Sequence, residues 1–535
     1  MVMEDLRARC EAAGQEQLLQ FWEDLTAEEK ISLEEQINAL NLTDINEYYR
    51  RTQTIKKGAA VDDQLEPLEP EVCGGTTRTP DHFLELYRNT GLEKIANGEV
   101  AVLLLAGGQG TRLGVSYPKG MYNVGLPSRK CLYQLQGERI IRIEQVAAEK
   151  YNKHGNVPWY IMTSEATKAK TSEYFQKKSY FGLKKENVIF FEQSTLPCLT
   201  FDGKIMLEGK AKIAKAPDGN GGLYRALGSS GVLQDMIGRG IKHIHVYCVD
   251  NILIKMADPV FIGFCVTKEV QCGNKSVEKT NPTEPLGVVG KVNGTYQVVE
   301  YSEMALKTAQ LRTPDGRLKY NSGNIANHYF HIDFLADIVR NHDGELTHHI
   351  AKKKIPCVNE VGEPVKPTRP NGIKMEKFVF DVFRFAQRFC CWDVLREDEF
   401  SALKNADGAA ESTPTTCRHA LYALHYKYIL NAGGRFSDST GSVLPEIPGH
   451  VSPILDETRE KGYMNGSNAD EASSSSDEEV KKSLVVEISP LVTYAGEDLE
   501  YLVSGNIYAA PLIIAASKES VGQSRIRKPS FIVDK

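Results

Sequence analysis

No apolar run in this 535-residue sequence approaches the roughly 18 residues that a membrane helix requires, so no membrane span is expected. The opening stretch MVMEDLRARC is charged from residue 4 and lacks the apolar core of a secretory signal, which points to a cytoplasmic protein. Basic blocks are also missing. With 64 Lys+Arg against 70 Asp+Glu the net charge is -6, and no patch suited to nucleic acid stands out. The 11 cysteines are scattered and never form CxxC, so reduced thiols are expected rather than disulfides or zinc. No GxxxxGK[ST] occurs, which removes the P-loop NTPases. The dinucleotide pattern GxGxxG fails as well: after Gly108 and Gly110 it needs glycine at 113, where Leu113 stands. The kinase glycine loop has the same spacing and fails with it.

What is present divides the chain into three parts. Residues 1–95 read as a helical lobe, with Leu18, Phe21, Trp22 and Leu25 on one face and Leu33, Ile37 and Leu40 on another. PLEPEVCGGTTRTPDHF reads as a linker. Over 96–400, short apolar runs alternate with helical stretches, the signature of parallel strands in an α/β sheet. The strand candidates are VAVLLLA (100–106), PWYIMT (158–163), NVIFFEQ (187–193) and HIHVYCVDN (243–251). Each ends on a bare or polar residue: Gly107, Thr163, Gln193, Asp250. In open α/β sheets, ligands bind beyond such ends. Asn293-Gly294 between alternating segments predicts a hairpin. NGIKMEKFVFDVFRFAQRF carries Met375, Phe378, Val379, Val382, Phe385 and Phe389 at helical spacing. Residues 401–535 read as a smaller α+β or mostly β lobe, with a solvated, disordered acidic insert at 465–483.

The first strand candidate runs into GGQGTRLGVSYPKG. Five glycines, Arg112 and Lys119 fall within fourteen positions there. A plain tight turn accounts for one or two glycines, not for five with two fixed cations. Bare backbone lets N–H groups approach phosphate oxygens. Arg112 offers a planar fork and Lys119 a point charge. Each charge-assisted hydrogen bond contributes about 1.5–3 kcal/mol, enough in combination to hold a polyphosphate.

LLLAGGQGTRLGVSYPKGM resembles the signature of sugar-1-phosphate nucleotidyltransferases. APDGNGGLYRAL, VYCVDNIL, EKTNPTEPLGVV, VVEYSE, NSGNIANH, RPNGIKMEKFVFD and LKNAD, in that order, are similar to the eukaryotic UDP-N-acetylhexosamine pyrophosphorylases and their like-1 branch. The likeness runs from AGQEQLLQFW to EISPLVTYAGE, nearly the whole chain. It implies a Rossmann-like, GT-A-like mixed sheet flanked by helices, with a helical N-terminal lobe and a small C-terminal lobe. The implied reaction joins UTP and N-acetylglucosamine-1-phosphate, or the galactosamine analogue, and releases pyrophosphate. The sugar phosphate is already an anion, so positioning and charge neutralisation replace a general base.

The resemblance also assigns residues. UTP would lie against Leu105, Ala106, Gly107, Gly108, Gly110, Lys119, Gln193, Gly219, Asp250 and Lys374. The amide of Gln193 can match an edge of uracil. Arg112, Lys119, Lys374 and Lys404 would supply catalytic charge, and Asp250 would hold Mg²⁺ (or Mn²⁺). Asn220, Gly287, Glu300 and Asn324 would meet the sugar. Phe378 and Phe380 could touch the acetyl methyl, although the apolar stripe favours core packing for Phe378. The histidines, including His243, His245 and His328, show no HExxH or other metal spacing and read as structural. Partners would be small molecules, with no nucleic acid or membrane; a homodimer is compatible. Three rivals remain open: a poorly catalytic UDP-sugar sensor or scaffold, a UDP-glucose pyrophosphorylase, and a dehydrogenase.

Overall fold

The computed structural model describes residues 2–54, 62–438, 440–444, 485–516 and 531–534; the acidic insert at 465–483 lies outside the described residues. Its centre is an eleven-stranded sheet. In chain order the strands are β1 (Leu65–Glu66), β2 (Cys73–Gly75), β3 (Val100–Leu105), β4 (Trp159–Thr163), β5 (Val188–Glu192) and β6 (His243–Cys248). They continue with β7 (Cys272–Glu278), β8 (Val288–Val292), β9 (Thr295–Val299), β10 (Ser322–His331) and β11 (Phe389–Val394). The main path runs β2-β11-β7-β10-β6-β3-β4-β5, and β8 branches from β10 to carry β9 and β1. Along the path only β10 is antiparallel to its neighbours.

The unbroken apolar run of β3 follows from burial on both faces. Ala101, Leu103 and Leu105 enter one core and Val100, Val102 and Leu104 the other. Helices Asp81–Ala96, Leu132–Tyr151 and Glu165–Lys177 cover the second face. Leu223–Ser229, Val232–Gly238 and Ile332–Asp337 cover the first. The four strand candidates and the Asn293-Gly294 hairpin are all present, with both turn residues at positive φ (52° and 73°). His243 and His245 are pulled down to about 4, and His328 to about 3, chiefly by burial in the sheet. They are neutral core residues at physiological pH.

The N-terminal lobe is smaller than 1–95. Its helices, among them Ala27–Asn38 and Leu42–Thr54, share a core with Leu196, Leu199, Ile205, Leu207, Ile213, Ile373 and Met375. The expected linker instead supplies edge strand β2. A Cβ on Gly74 would stand 2.7 Å from the Trp392 ring, so that glycine marks close packing rather than looseness. The helical stripe expected over 371–389 is also corrected. The chain there forms strand Gly372–Glu376, a 3-10 turn Asp381–Phe385, and then β11. Met375 faces the lobe core, whereas Val379, Val382 and Phe389 enter the sheet core. The C-terminal part is α+β. Helix Pro414–Asn431, capped by Thr413, packs Leu421 and Leu424 against Leu113, Leu132, Ile252 and Leu403.

Candidate active site

Crossovers from β3 run one way, through β4 to β5, while β6 returns to the other side of β3. Such a reversal opens a crevice at the carboxyl ends of the two strands. Leu105 pairs with Cys248 in parallel register, so the loops after them lie side by side.

The glycine loop closes back on itself. Gln109 bridges Pro118, and the Gly110 N–H donates to the Tyr117 carbonyl at 3.0 Å. A Cβ on Gly110 would meet Val115 Cγ2 at 2.4 Å, and one on Gly107 would meet the Gln193 amide at 2.8 Å. Gly108, in contrast, borders open space. The closure returns Lys119 to the crevice, with Nζ 3.9 Å from Asp250 Oδ2. Arg112 is exposed on the turn Thr111–Leu113 and makes no ion pair among the described residues. Leu105 and Ala106 are buried, so only their backbone can serve a ligand.

Asp250 is held by a residue that sequence reasoning did not single out. Asn251 donates to the Glu399 carbonyl at 2.6 Å and accepts from the N–H groups of Ser401 and Leu253 at 3.0 and 3.2 Å. The Asp250 carbonyl accepts from Leu403 N–H at 2.8 Å, and Arg139 Nη1 donates to the carbonyls of Ile252 and Ile254 at 2.8 and 3.1 Å. The neighbouring Lys404 is thereby tied to the Asp250 loop. Burial first, then the Asp250 carboxylate, pushes the Cys248 thiol up to about 12, against Lys119 and Lys404. That thiol is inert at neutral pH, and both cations stand close to the strand end.

A second group adjoins the first. Val288 pairs with Val299 and with Gly323, which brings Gly287, Glu300 and Asn324 to one end of three strands. Glu300 Oε1 lies 3.0 Å from where a Cβ on Gly287 would stand, and Asn324 N–H donates to the Gly287 carbonyl at 2.8 Å. Glu300 is raised by burial and then by Glu303, with Asp381 adding to this and His349 and Lys404 opposing it. Asn220 Oδ1 accepts from Val379 N–H at 3.0 Å and so joins the Phe378 segment to the glycine-rich 218–222 loop. Gly219 there has φ 87° and ψ 176°.

Most of the assigned residues are therefore brought to two adjoining sets. Gly107, Gly108, Gly110, Arg112, Lys119, Gln193, Asp250 and Lys404 surround the strand ends; Asn220, Gly219, Gly287, Glu300 and Asn324 form the second set. Lys374 lies on the strand Gly372–Glu376, opposite Ala351 and near Cys198. One reading, that of a histidine, changes, whereas Phe378 packs against the sheet core as its place on the apolar stripe predicts. Phe380 is buried, whereas Phe378 is half-buried and stacks on His349 at 4.3 Å. Burial lowers His349, but its contacts with Asp381 and Glu303 outweigh this and raise it to about 10, so the ring joins the second set; the motif neighbours Glu303 and Asp381 were the available signal.

Comparison with known proteins places the chain in a family. Residues 45–444 match the family described as UTP–glucose-1-phosphate uridylyltransferase. The UDP-N-acetylhexosamine pyrophosphorylase-like protein 1 of Homo sapiens is 50% identical over 516 residues, covering 96% of this chain and 97% of that protein. Its Xenopus tropicalis counterpart is 49% identical over 520 residues, with 96% and 97% covered. The crystal structure of the uridine diphosphate N-acetylglucosamine pyrophosphorylase from Trypanosoma brucei superimposes with a TM-score of 0.74 at 29% identity, covering 94% of each chain. A glycine loop at a sheet switch point, a lysine–aspartate pair at its mouth, and this likeness across nearly the full length lead to one assignment: the chain belongs to the UTP–glucose-1-phosphate uridylyltransferase family, among its UDP-N-acetylhexosamine pyrophosphorylases.

Proposed function

We propose that the protein transfers a uridylyl group from UTP to N-acetylglucosamine-1-phosphate, or to N-acetylgalactosamine-1-phosphate, and releases pyrophosphate. The observation that carries this reading is the Lys119–Asp250 pair, 3.9 Å apart between the ends of β3 and β6. UTP lies across the glycine loop with uracil toward Gln193 and the triphosphate toward Arg112 and Lys119. The sugar lies toward Glu300, Asn324 and Asn220, and Lys404 stands between the two groups. An oxygen of the sugar phosphate attacks the α-phosphorus in line, the bond to the β-phosphate oxygen breaks, and pyrophosphate departs with that electron pair. Both reactants are anions, so the cations lower their repulsion while the loops hold them in line.

Asp250 suits a magnesium ion that brings phosphate and water oxygens as its other ligands. Among the described residues no group of three or more His, Cys, Asp or Glu could hold a metal, which fits an ion shared with the nucleotide rather than a closed protein cage. When bound, the cation neutralises phosphate charge. Purified protein with UTP, Mg²⁺ and a panel of sugar-1-phosphates tests the reading by pyrophosphate release. Preference for N-acetylated sugars supports it. Release only with glucose-1-phosphate, or UDP-sugar binding without any release, overturns it.

A further inference from the structure

Glu300 and Phe378 come from segments far apart in sequence, yet one side chain connects what holds them. His349 Nε2 lies 3.2 Å from each carboxylate oxygen of Asp381, and its Nδ1 lies 3.7 Å from Glu303 Oε1. Each of these acids in turn accepts from a backbone N–H beside the proposed sugar pocket. Asp381 Oδ2 accepts from Phe378 N–H at 2.8 Å, and Glu303 Oε2 accepts from Glu300 N–H at 3.2 Å. The ring also stacks on Phe378, with centroids 4.3 Å apart and planes at 28°.

We propose that His349, as an imidazolium shared between Glu303 and Asp381, is a positioning residue that sets the sugar pocket, fixing Glu300 as an ionised acceptor and Phe378 as its wall. The proposal rests on the sugar-side reading given above. Without a cation between them, Glu300, Glu303 and Asp381 would be three close carboxylates in a largely buried site, which must repel or take up protons. Burial works against charge on the ring, but Asp381 and Glu303 outweigh it and raise His349 to about 10. The other charged groups around the ring are Lys404 and Arg384, which interact with Glu300 and Asp381, and Glu376, its register partner across the strand pair.

His349→Gln and His349→Lys test this, with KM measured separately for UTP and for N-acetylglucosamine-1-phosphate. His349→Gln should raise KM for the sugar phosphate about tenfold, in keeping with loss of a charge-assisted contact, and leave KM for UTP within about twofold. The penalty should be larger at pH 6 than at pH 8, because Glu300 loses its charge more readily once the imidazolium is gone. His349→Lys, which keeps the charge, should recover part of the loss. A purely structural role would move both KM values and the melting temperature together, with no pH dependence, and would overturn the proposal. So would an unchanged KM for the sugar phosphate in His349→Gln. If the wild-type protein turns over no N-acetylhexosamine phosphate, the functional reading fails and the clamp is judged on the ring itself. A ¹⁵N spectrum in which the signal lost in His349→Gln stays imidazolium at pH 8 supports it, and a neutral ring at pH 7 refutes it.

Discussion

Replacing Lys119 by alanine should separate catalysis from folding. The ammonium lies 3.9 Å from Asp250 Oδ2, with 18% of the lysine side chain and 21% of the aspartate side chain exposed. At that separation, beyond hydrogen-bond reach, the partly exposed pair contributes about 0–1 kcal/mol to stability. In a chain of this size such a loss lowers Tm by no more than about 4 °C. Catalysis feels the same charge more strongly. At about 4 Å and an effective dielectric constant of about 20, two unit charges interact by about 4 kcal/mol. Part of that is already present when UTP binds. Only the part that grows as charge moves onto the departing pyrophosphate enters kcat. Loss of one such electrostatic donor typically costs about 10²–10³ in rate, or about 2.7–4 kcal/mol. Lys119→Ala should therefore lose about two to three orders of magnitude in kcat while melting cooperatively near the wild-type temperature. Lys119→Arg should recover part of the rate, because the charge remains while its geometry changes. Pyrophosphate release at saturating substrates, beside a thermal melt, decides the matter. A folded Lys119→Ala protein with turnover within about threefold of wild type would refute the role given to this lysine.

Turnover should require a divalent cation, and Asp250→Asn should shift the Mg²⁺ titration to higher concentration; full activity in excess EDTA, or an unchanged titration, would sink the metal assignment. Gly219→Ala should lower Tm and raise both KM values, because φ 87° with ψ 176° is open essentially to glycine and a Cβ would stand 2.3 Å from the Lys377 carbonyl oxygen. The backbone strain alone is about 1–3 kcal/mol, so wild-type Tm and KM values would refute it. Asp218, 1% exposed and without a hydrogen-bond partner for either carboxylate oxygen among the described residues, is raised to about 7 by burial, against the pull of Lys377 and Arg225. Its folded value exceeds the unfolded one of about 3.9, so its contribution is fully present below about pH 4 and is lost as pH rises toward about 7. Asp218→Asn should therefore gain Tm relative to wild type between about pH 5 and about pH 8, and a pH-independent difference would contradict that.

The elements readable from sequence share a physical cause. β3, β4, β5 and β6 are each recognisable within one short window, because burial on two faces demands an unbroken apolar run and the carboxyl end must then leave the core. Gly107, Gln193 and Asp250 stand just beyond those ends, so the proposed nucleotide side of the site is written next to its own strands. The 371–389 segment shows how the same logic misleads. Its apolar residues recur at helical intervals, but Met375 serves the lobe core and Val379 the sheet core, on opposite sides of a chain that never forms an α-helix. Periodicity records that residues are buried, not which core receives them. Gly74 and Gly75 misled for a related reason: a glycine pair signals a loose linker and a close-packed edge strand equally well, and only Trp392, more than 300 positions away, distinguishes them.

The proposed sugar side was legible only through motifs, and its clamp only in part, because Glu303 and Asp381 lie in motifs but no single window contains them with His349. Glu303 follows β9, His349 opens the strand His349–Lys353, and Asp381 opens a 3-10 turn after the partner strand Gly372–Glu376. Alone, each is an ordinary polar residue that water would solvate. A cation placed between two carboxylates in a mostly buried site is favourable only if the acids are already held in place. Here their backbone bonds to Glu300 and Phe378 do that holding. The charge state of His349 therefore depends on the pairing of the strands. The information that specifies the clamp lies in the register of β8 with β9 and of His349–Lys353 with Gly372–Glu376, not in the residues it joins.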